Sequence, residues 1–322
     1  MAKIVEVGSF NMDLVVRMPS ITRPGETLLG GVFFTAPGGK GANQAVAAAR
    51  LGGEVTMVGR VGADAFGEQL LAQFKVEGID TRFVGVDPNA ATGVALITVD
   101  LQGQNSISVA SGANFTLTAQ EVCDAWEQLQ DTDVLVMPLE TPMETIVTAA
   151  GLARQHGIKV VLNPAPAQHL SPDLLRLVDV LIPNEIETAF MTGIEIHSLE
   201  DARRAAEKLL ESGPGSVILT LGQQGALIVE GRPGELAFTH LEAFPVQAVD
   251  TTAAGDAFVG AIAVALGEGH TLVEAARFAS AAAALSVTRQ GAQPSLPTRA
   301  EVDRFIENLR PKKAEDNDTL PS

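Results

Sequence analysis

The chain has 322 residues, 46 % of them apolar but only 4 % aromatic, with no tyrosine, so its core is aliphatic and large enough for one sizeable α/β domain or two modest ones. A formal net charge of −17 excludes long-range attraction to nucleic acid or an anionic membrane, and an anionic substrate then needs a local positive pocket or a metal ion. The single cysteine, Cys123, excludes an intrachain disulfide framework and a cysteine zinc cluster.

The N-terminal "KIVEVGS" (3–9) reads as a first strand, without the charged start and long apolar segment of a secretion signal. No apolar run reaches membrane length, and a cytoplasmic protein is expected. Residues 13–36 look like β-hairpin material with no helix. The glycine cluster "APGGKGANQAVAAARLG" (36–52) then offers a turn of exposed backbone amides around Pro37, Gly38, Gly39 and Gly41, and a helix over about 41–52. Lys40 adds a positive charge there and Asn43 an amide. It is not a phosphate loop of the G-x-x-x-x-G-K-S/T kind, because Phe34 and Gly41 stand where that pattern needs Gly and Ser or Thr. A G-x-G-x-x-G dinucleotide fingerprint is also absent.

A strand at 54–60 and a helix at 64–77 follow, then a second hairpin-like segment, "TGVALITVDLQGQNSISVAS" (92–111). Helices at 118–130, 143–156 and 198–212 alternate with continuous apolar runs at 133–138, 158–163, 179–183 and 216–221. Such runs are strands buried on both faces, and with helices between them they predict a doubly wound, mostly parallel sheet. In "LIPNEIETAF" (181–190), Asn184 and Glu187 have the spacing of a capping box, and the same pair could hold hydrated Mg²⁺ through water. "LTLGQQGALIV" (219–229) reads as strand, tight glycine turn and strand, with Thr220, Gly222 and Gly225 permitting close backbone approach.

In "QAVDTTAAGDAFVGAIAVAL" (247–266) a helix begins near Ala253. The small residues leave its first turn open to an anion, and Asp256 projects to the same place. Asp250 or Thr251 could equally cap that helix. Helices over 253–267, 271–288 and 299–309 complete the chain, and "PKKAEDNDTLPS" reads as a disordered tail. The five histidines lack metal-ligand spacing, and no aromatic or basic cluster suggests nucleic-acid binding.

Taken in order, "GSFNMDLV" (8–15), "PGGKGANQAVAAARLG" (37–52), "VGRVGADAFG" (58–67), "LETP" (139–142), "NPAPA" (163–167), "PNEIE" (183–187), "TLGQQG" (220–225), "DTTAAGDAF" (250–258) and "RFASAAAALSVTRQGAQPSLP" (277–297) resemble the ribokinase-like carbohydrate kinases from residue 3 to about 309. The resemblance implies a doubly wound α/β domain from 1–12, 37–91 and 112–310, a small β lid from 13–36 and 92–111, and a disordered tail at 311–322. It implies ATP-dependent phosphorylation of a sugar, D-ribose at its 5-hydroxyl, with 2-deoxyribose, fructose or adenosine as alternatives and a non-catalytic sensor as the rival from another class.

By the same resemblance Asp256 is the catalytic base, and the amides of Ala253, Ala254, Gly255 and Asp256 form an anion hole. Asn11, Asp13, Gly39, Lys40, Asn43 and Glu140 bind the sugar, Asp13 suiting a vicinal diol. Asn184, Thr220, Gly222, Gly225 and Ser280 contact the nucleotide, although Ser280 replaces a larger polar residue found in other members. Glu187 organises Mg²⁺ through water. Asp250, Thr252, Ser286, Arg289, Gly291 and Ser295 surround an activating K⁺, mostly through carbonyls. Two lids pairing imply a homodimer.

Overall fold

The computed structural model describes residues 1–232 and 235–309; the tail expected at 311–322 lies outside them. The chain opens with β1 (Lys3–Val7), β2 (Asn11–Arg17), β3 (Val32–Gly38), α1 (Lys40–Arg50), β4 (Glu54–Gly62), α2 (Ala65–Val76), β5 (Asp80–Asp87), β6 (Gly93–Val99) and β7 (Asn105–Ala110). Then come α3 (Ala119–Trp126), β8 (Val134–Met137), α4 (Met143–Gln155), β9 (Lys159–Leu162), α5 (Pro172–Leu175), β10 (Val180–Leu181), α6 (Glu185–Thr192), α7 (Leu199–Glu211) and β11 (Ser216–Thr220). A hairpin of β12 (Ala226–Arg232) and β13 (Glu235–Leu241) precedes α8 (Ala254–Gly267), α9 (Leu272–Ser286) and α10 (Arg299–Leu309).

Nine strands form one sheet in the order β13-β12-β11-β10-β9-β8-β1-β4-β5. All neighbours are parallel except the β11–β12 and β12–β13 pairs. The inner strands are mostly apolar because helices cover both faces, as the sequence predicts, with Glu6 of β1 a buried exception. One face carries the core of α1, α8 and α9, the other that of α3, α4 and α7. Helix α8 is buried along most of its length, and Gly260 lets it press onto α1: a Cβ there would stand 2.7 Å from that of Ala47. Strand order reverses between β1 and β8, which opens a crevice at the carboxyl ends of the parallel strands.

A second sheet, β3-β2-β6-β7, is antiparallel at its two edges and parallel where β2 meets β6. Its ladder already begins at Asn11, which pairs with Gly38 on one side and Gly93 on the other, so the hairpin segments start and end a residue or two from the expected bounds. Strand β5 was not foreseen; it is a half-buried edge strand without a continuous apolar run. Among the described residues no helix is long and apolar enough to cross a membrane.

Candidate active site

At the crevice the N-termini of α1 and α8 converge. Asp256 lies in the first turn of α8 and is 5 % exposed. Asn43 Nδ2 donates to its Oδ2 at 2.9 Å and Gln44 Nε2 donates to its Oδ1 at 3.1 Å. Burial pushes the Asp256 carboxyl above its usual range; the Lys40 ammonium and the two amides oppose that shift, and Glu140 adds to it. No side chain caps α8. Asp250 and Thr251 therefore do not play the capping role that the sequence left open. Among the described residues the N–H groups of Ala253, Gly255 and Asp256 meet no backbone acceptor, whereas that of Ala254 donates to the Thr251 carbonyl at 3.2 Å. The space beside Gly255 is open, with nothing within 4 Å of where a Cβ would stand. This is an uncovered, positively polarised helix end with a buried carboxylate beside it.

Helix α1 starts after Gly39, whose φ of 92° is open only to glycine at low cost; a Cβ there would also lie 2.7 Å from Asn11 N. Glu140 follows β8 and fixes this turn: its Oε2 accepts from Lys40 N at 3.0 Å and from the Ser9 hydroxyl. The Lys40 ammonium forms no ion pair among the described residues. Burial lowers its affinity for a proton, but Asp256, Glu140 and Glu187 together hold its pKa above the usual value. Lys40 is thus not a solvated loop charge.

From the small sheet, Asp13 reaches the same crevice beneath Gly38, where any Cβ would strike its carboxyl. Burial, then the Glu140 and Asp256 charges, raise its pKa to about 7. Asn11 is buried, and its Oδ1 accepts from Asn114 Nδ2 at 2.9 Å.

Further along the strand ends, Asn184 caps α6 with Glu187 in the expected reciprocal box: Asn184 N and Nδ2 each donate to Glu187 at 2.8 Å, and Glu187 N donates to Asn184 Oδ1 at 2.9 Å. Glu187 is buried and raised in pKa for that reason, with Lys40 opposing and Asp256 adding. Asn184 bridges to Thr220 at the end of β11. Gly222 and Gly225 follow at φ 53° and 88°, the first with only Glu185 Oε2 at 4.0 Å from where a Cβ would stand and the second packed against the Leu241 carbonyl. Ser280 lies on α9 with its hydroxyl donating to the Ala276 carbonyl at 2.8 Å, so it presents no free donor to a ligand.

The loop before α8 is tied to the chain after α9. Asp250 accepts from Thr252 N and its hydroxyl, and from Gly291 N at 2.9 Å; Val249 N and Asp250 N both donate to the Val287 carbonyl. Ser286 and Ser295 are buried with hydroxyls spent on Ala283 and Ala292 carbonyls, and Arg289 pairs with Glu301. Asp250, Thr252 and Gly291 are thus joined, Arg289 N donates to the Ser286 carbonyl, and the side chains of Thr252, Ser286, Arg289 and Ser295 are already engaged. Sequence reasoning missed Gln44, Asn163 and Ser9. Gln44 and Asn163 lie inside quoted motifs, yet only the fold shows that they bond to each other and that Gln44 reaches Asp256.

Residues 1–299 match the model of the pfkB family carbohydrate kinases. The chain is 45 % identical to a ribokinase from Haemophilus influenzae, over 94 % of this chain and 97 % of the relative. It is 37 % identical to a deoxyribokinase from Salmonella typhi, over 94 % and 98 %. A solved structure of Arabidopsis thaliana ribokinase, complexed with ribose and ATP, matches with a TM-score of 0.86 at 32 % identity, over 95 % of this chain and 98 % of that one.

Proposed function

The chain belongs to the pfkB family of carbohydrate kinases, and from that premise we propose that it transfers the γ-phosphoryl group of ATP to the 5-hydroxyl of D-ribose, giving D-ribose 5-phosphate and ADP. Similarity to ribokinases, one of them solved with ribose and ATP, supports the sugar and the nucleotide. The observation that carries the chemistry is the buried Asp256 carboxylate beside the open N-terminus of α8.

Asp256 accepts the proton of the 5-hydroxyl as that oxygen attacks the γ-phosphorus and the bond to the β-phosphate oxygen breaks. Asn43 and Gln44 hold the carboxylate so that both oxygens are oriented before substrate arrives. The free N–H groups of Ala253, Gly255 and Asp256 receive the charge developing on the transferred group. Ala254, whose N–H is held by Thr251, joins them only if that turn opens. Lys40 adds a full positive charge beside them. Asn11, Asp13, Gly39, Lys40, Asn43 and Glu140 hold the sugar, with Asp13 accepting from two adjacent hydroxyls. Asn184, Thr220, Gly222, Gly225 and Ser280 hold the nucleotide, Ser280 as an acceptor only, since its hydroxyl hydrogen goes to the Ala276 carbonyl.

Glu187 fits a hydrated Mg²⁺, since each of its oxygens accepts one hydrogen bond from Asn184 and keeps a lone pair. Mg²⁺ supplies charge neutralisation to the triphosphate. Carbonyls in the paired loops around Asp250, Thr252, Ser286, Arg289, Gly291 and Ser295 fit K⁺, which supplies order to the turn before α8. The small sheet leaves Val32, Phe34, Ile107 and Val109 exposed on the face that carries Asp13. That apolar face supports a homodimer formed through the lids. Asp256→Asn tests the chemistry. It should lower kcat by about 10²–10⁴-fold with the fold intact, whereas turnover near the wild-type rate would refute the base.

A further inference from the structure

The sheet interior holds one carboxyl that this mechanism leaves unused. Strand β1 directs Ile4 and Glu6, and the chain just after it Gly8, to the face covered by α1 and α8. Gly8 lies against the start of α1, where a Cβ would stand 2.7 Å from the Gly41 Cα. Ile4 lies at the other end: a Cβ at Gly53 would meet the Ile4 Cδ1 at 2.9 Å and the Ala48 carbonyl at 3.1 Å. Glu6 lies between them on that face, and its Oε1 reaches toward the start of α1, 3.1 Å from where a Cβ at Gly8 would stand. It is 1 % exposed, and its Oε1 has no hydrogen-bond partner among the described residues.

Gln44 is fully buried and its Oε1 is also unpartnered, while its Nε2 donates to both Asn163 and Asp256. An unpaired acceptor in such a place is costly. Two acceptor oxygens satisfy one another only when one carries a proton, and of the two groups only the carboxyl can.

We propose that Glu6 keeps its proton and donates it in a hydrogen bond to Gln44 Oε1, so that the Gln44 amide stays turned with its N–H toward Asp256. Glu6 is then a positioning residue, acting on the base through Gln44. The surroundings favour the neutral acid. At its level the flanking strands β4 and β8 offer Met57 and Val136. Helix α1 offers only Lys40 at its first turn, and α8 offers Asp256, a like charge. Burial, with Asp256 adding, raises the Glu6 pKa well above the ordinary carboxyl value. Once ionised at alkaline pH, Glu6 attracts the Gln44 N–H₂ group and turns its carbonyl toward Asp256. The base loses a donor and faces a second acceptor, and turnover falls.

This inference rests on Asp256 being the base. The test is steady-state kinetics from neutral to alkaline pH on the full chain and on Glu6→Leu, Glu6→Gln and Asp256→Asn. Glu6→Leu should lower kcat about tenfold with little change in the KM for ribose. Glu6→Gln donates an N–H to Gln44 but cannot ionise, so it should restore kcat and abolish the alkaline fall. Wild-type kcat in Glu6→Leu, or an alkaline fall that persists in Glu6→Gln, would overturn the proposal. Should Glu6→Leu not fold, the Glu6→Gln profile decides alone. Near-wild-type turnover in Asp256→Asn sinks the base itself, whereas a strongly slowed Asp256→Asn beside wild-type-like Glu6 variants sinks only the Glu6 role.

Discussion

At the scale of single residues, burial has raised the pKa of four carboxyls around one crevice, and each makes a different demand on pH. Asp13 is raised to about 7. Only its ionised form accepts hydrogen bonds from a diol through both oxygens, so the KM for ribose should fall as pH rises through 7 and level off above; a KM flat across that range contradicts the role. The stability effect has the opposite sign. A folded pKa above the unfolded value of 3.8 favours the fold fully below that value, and the advantage is lost as pH rises toward 7. Asp13→Asn should therefore stabilise the chain at pH 8 by up to about 4 kcal/mol, read as a rise in Tm, while it weakens ribose binding. A lower Tm at that pH would show that the carboxylate is better solvated than its burial suggests. Asp13, Lys40, Asn43 and Asp256 were legible from motif and resemblance. Glu6, Gln44 and Asn163 were not, because Gln44 of α1 meets Asn163 only across the fold, past the end of β9, and the burial of Glu6 in β1 breaks an apolar run, neither of which any local spacing encodes.

At the scale of elements, the helix starts carry the site, and glycines set their approach. Gly41 has an ordinary helical backbone but no room: a Cβ would stand 2.5 Å from Ser9 N and 2.6 Å from the Gly8 Cα. Gly41→Ala should push α1 off β1, lowering stability by about 1–3 kcal/mol and raising the KM for both substrates, because Lys40 and Asn43 ride on that turn. Thermal melts with kinetics check this, and a variant that melts and turns over like wild type would show that α1 can shift freely. The parallel strands and the long helices were readable because they are buried on both faces or strongly periodic. The half-buried edge strand β5 and the true starts of the small sheet were not, since ladder partners rather than apolar runs define them. The α8 start was readable as an anion site or as a capped helix, and the hydrogen bonds of Asp250, which go to Thr252 and Gly291, remove the capping reading.

At the scale of the whole molecule, the doubly wound sheet gives the crevice and the small sheet places Asp13 over it. Exposed Val32, Phe34, Ile107 and Val109 leave that small sheet with an apolar face. Sedimentation velocity should find a dimer, and Ile107→Lys with Val109→Lys should shift it toward monomer; a wild-type monomer at micromolar concentration would contradict lid pairing. The whole-molecule reading also fixes the most direct test of function. In an ADP-release assay with ATP, Mg²⁺ and K⁺, run with ribose, 2-deoxyribose, fructose, adenosine or no sugar and repeated with Na⁺ in place of K⁺, turnover should require ribose and fall without K⁺. Preference for another sugar would keep the Asp256 chemistry and contradict the ribose assignment, and ADP release that ignores every sugar would contradict the account as a whole.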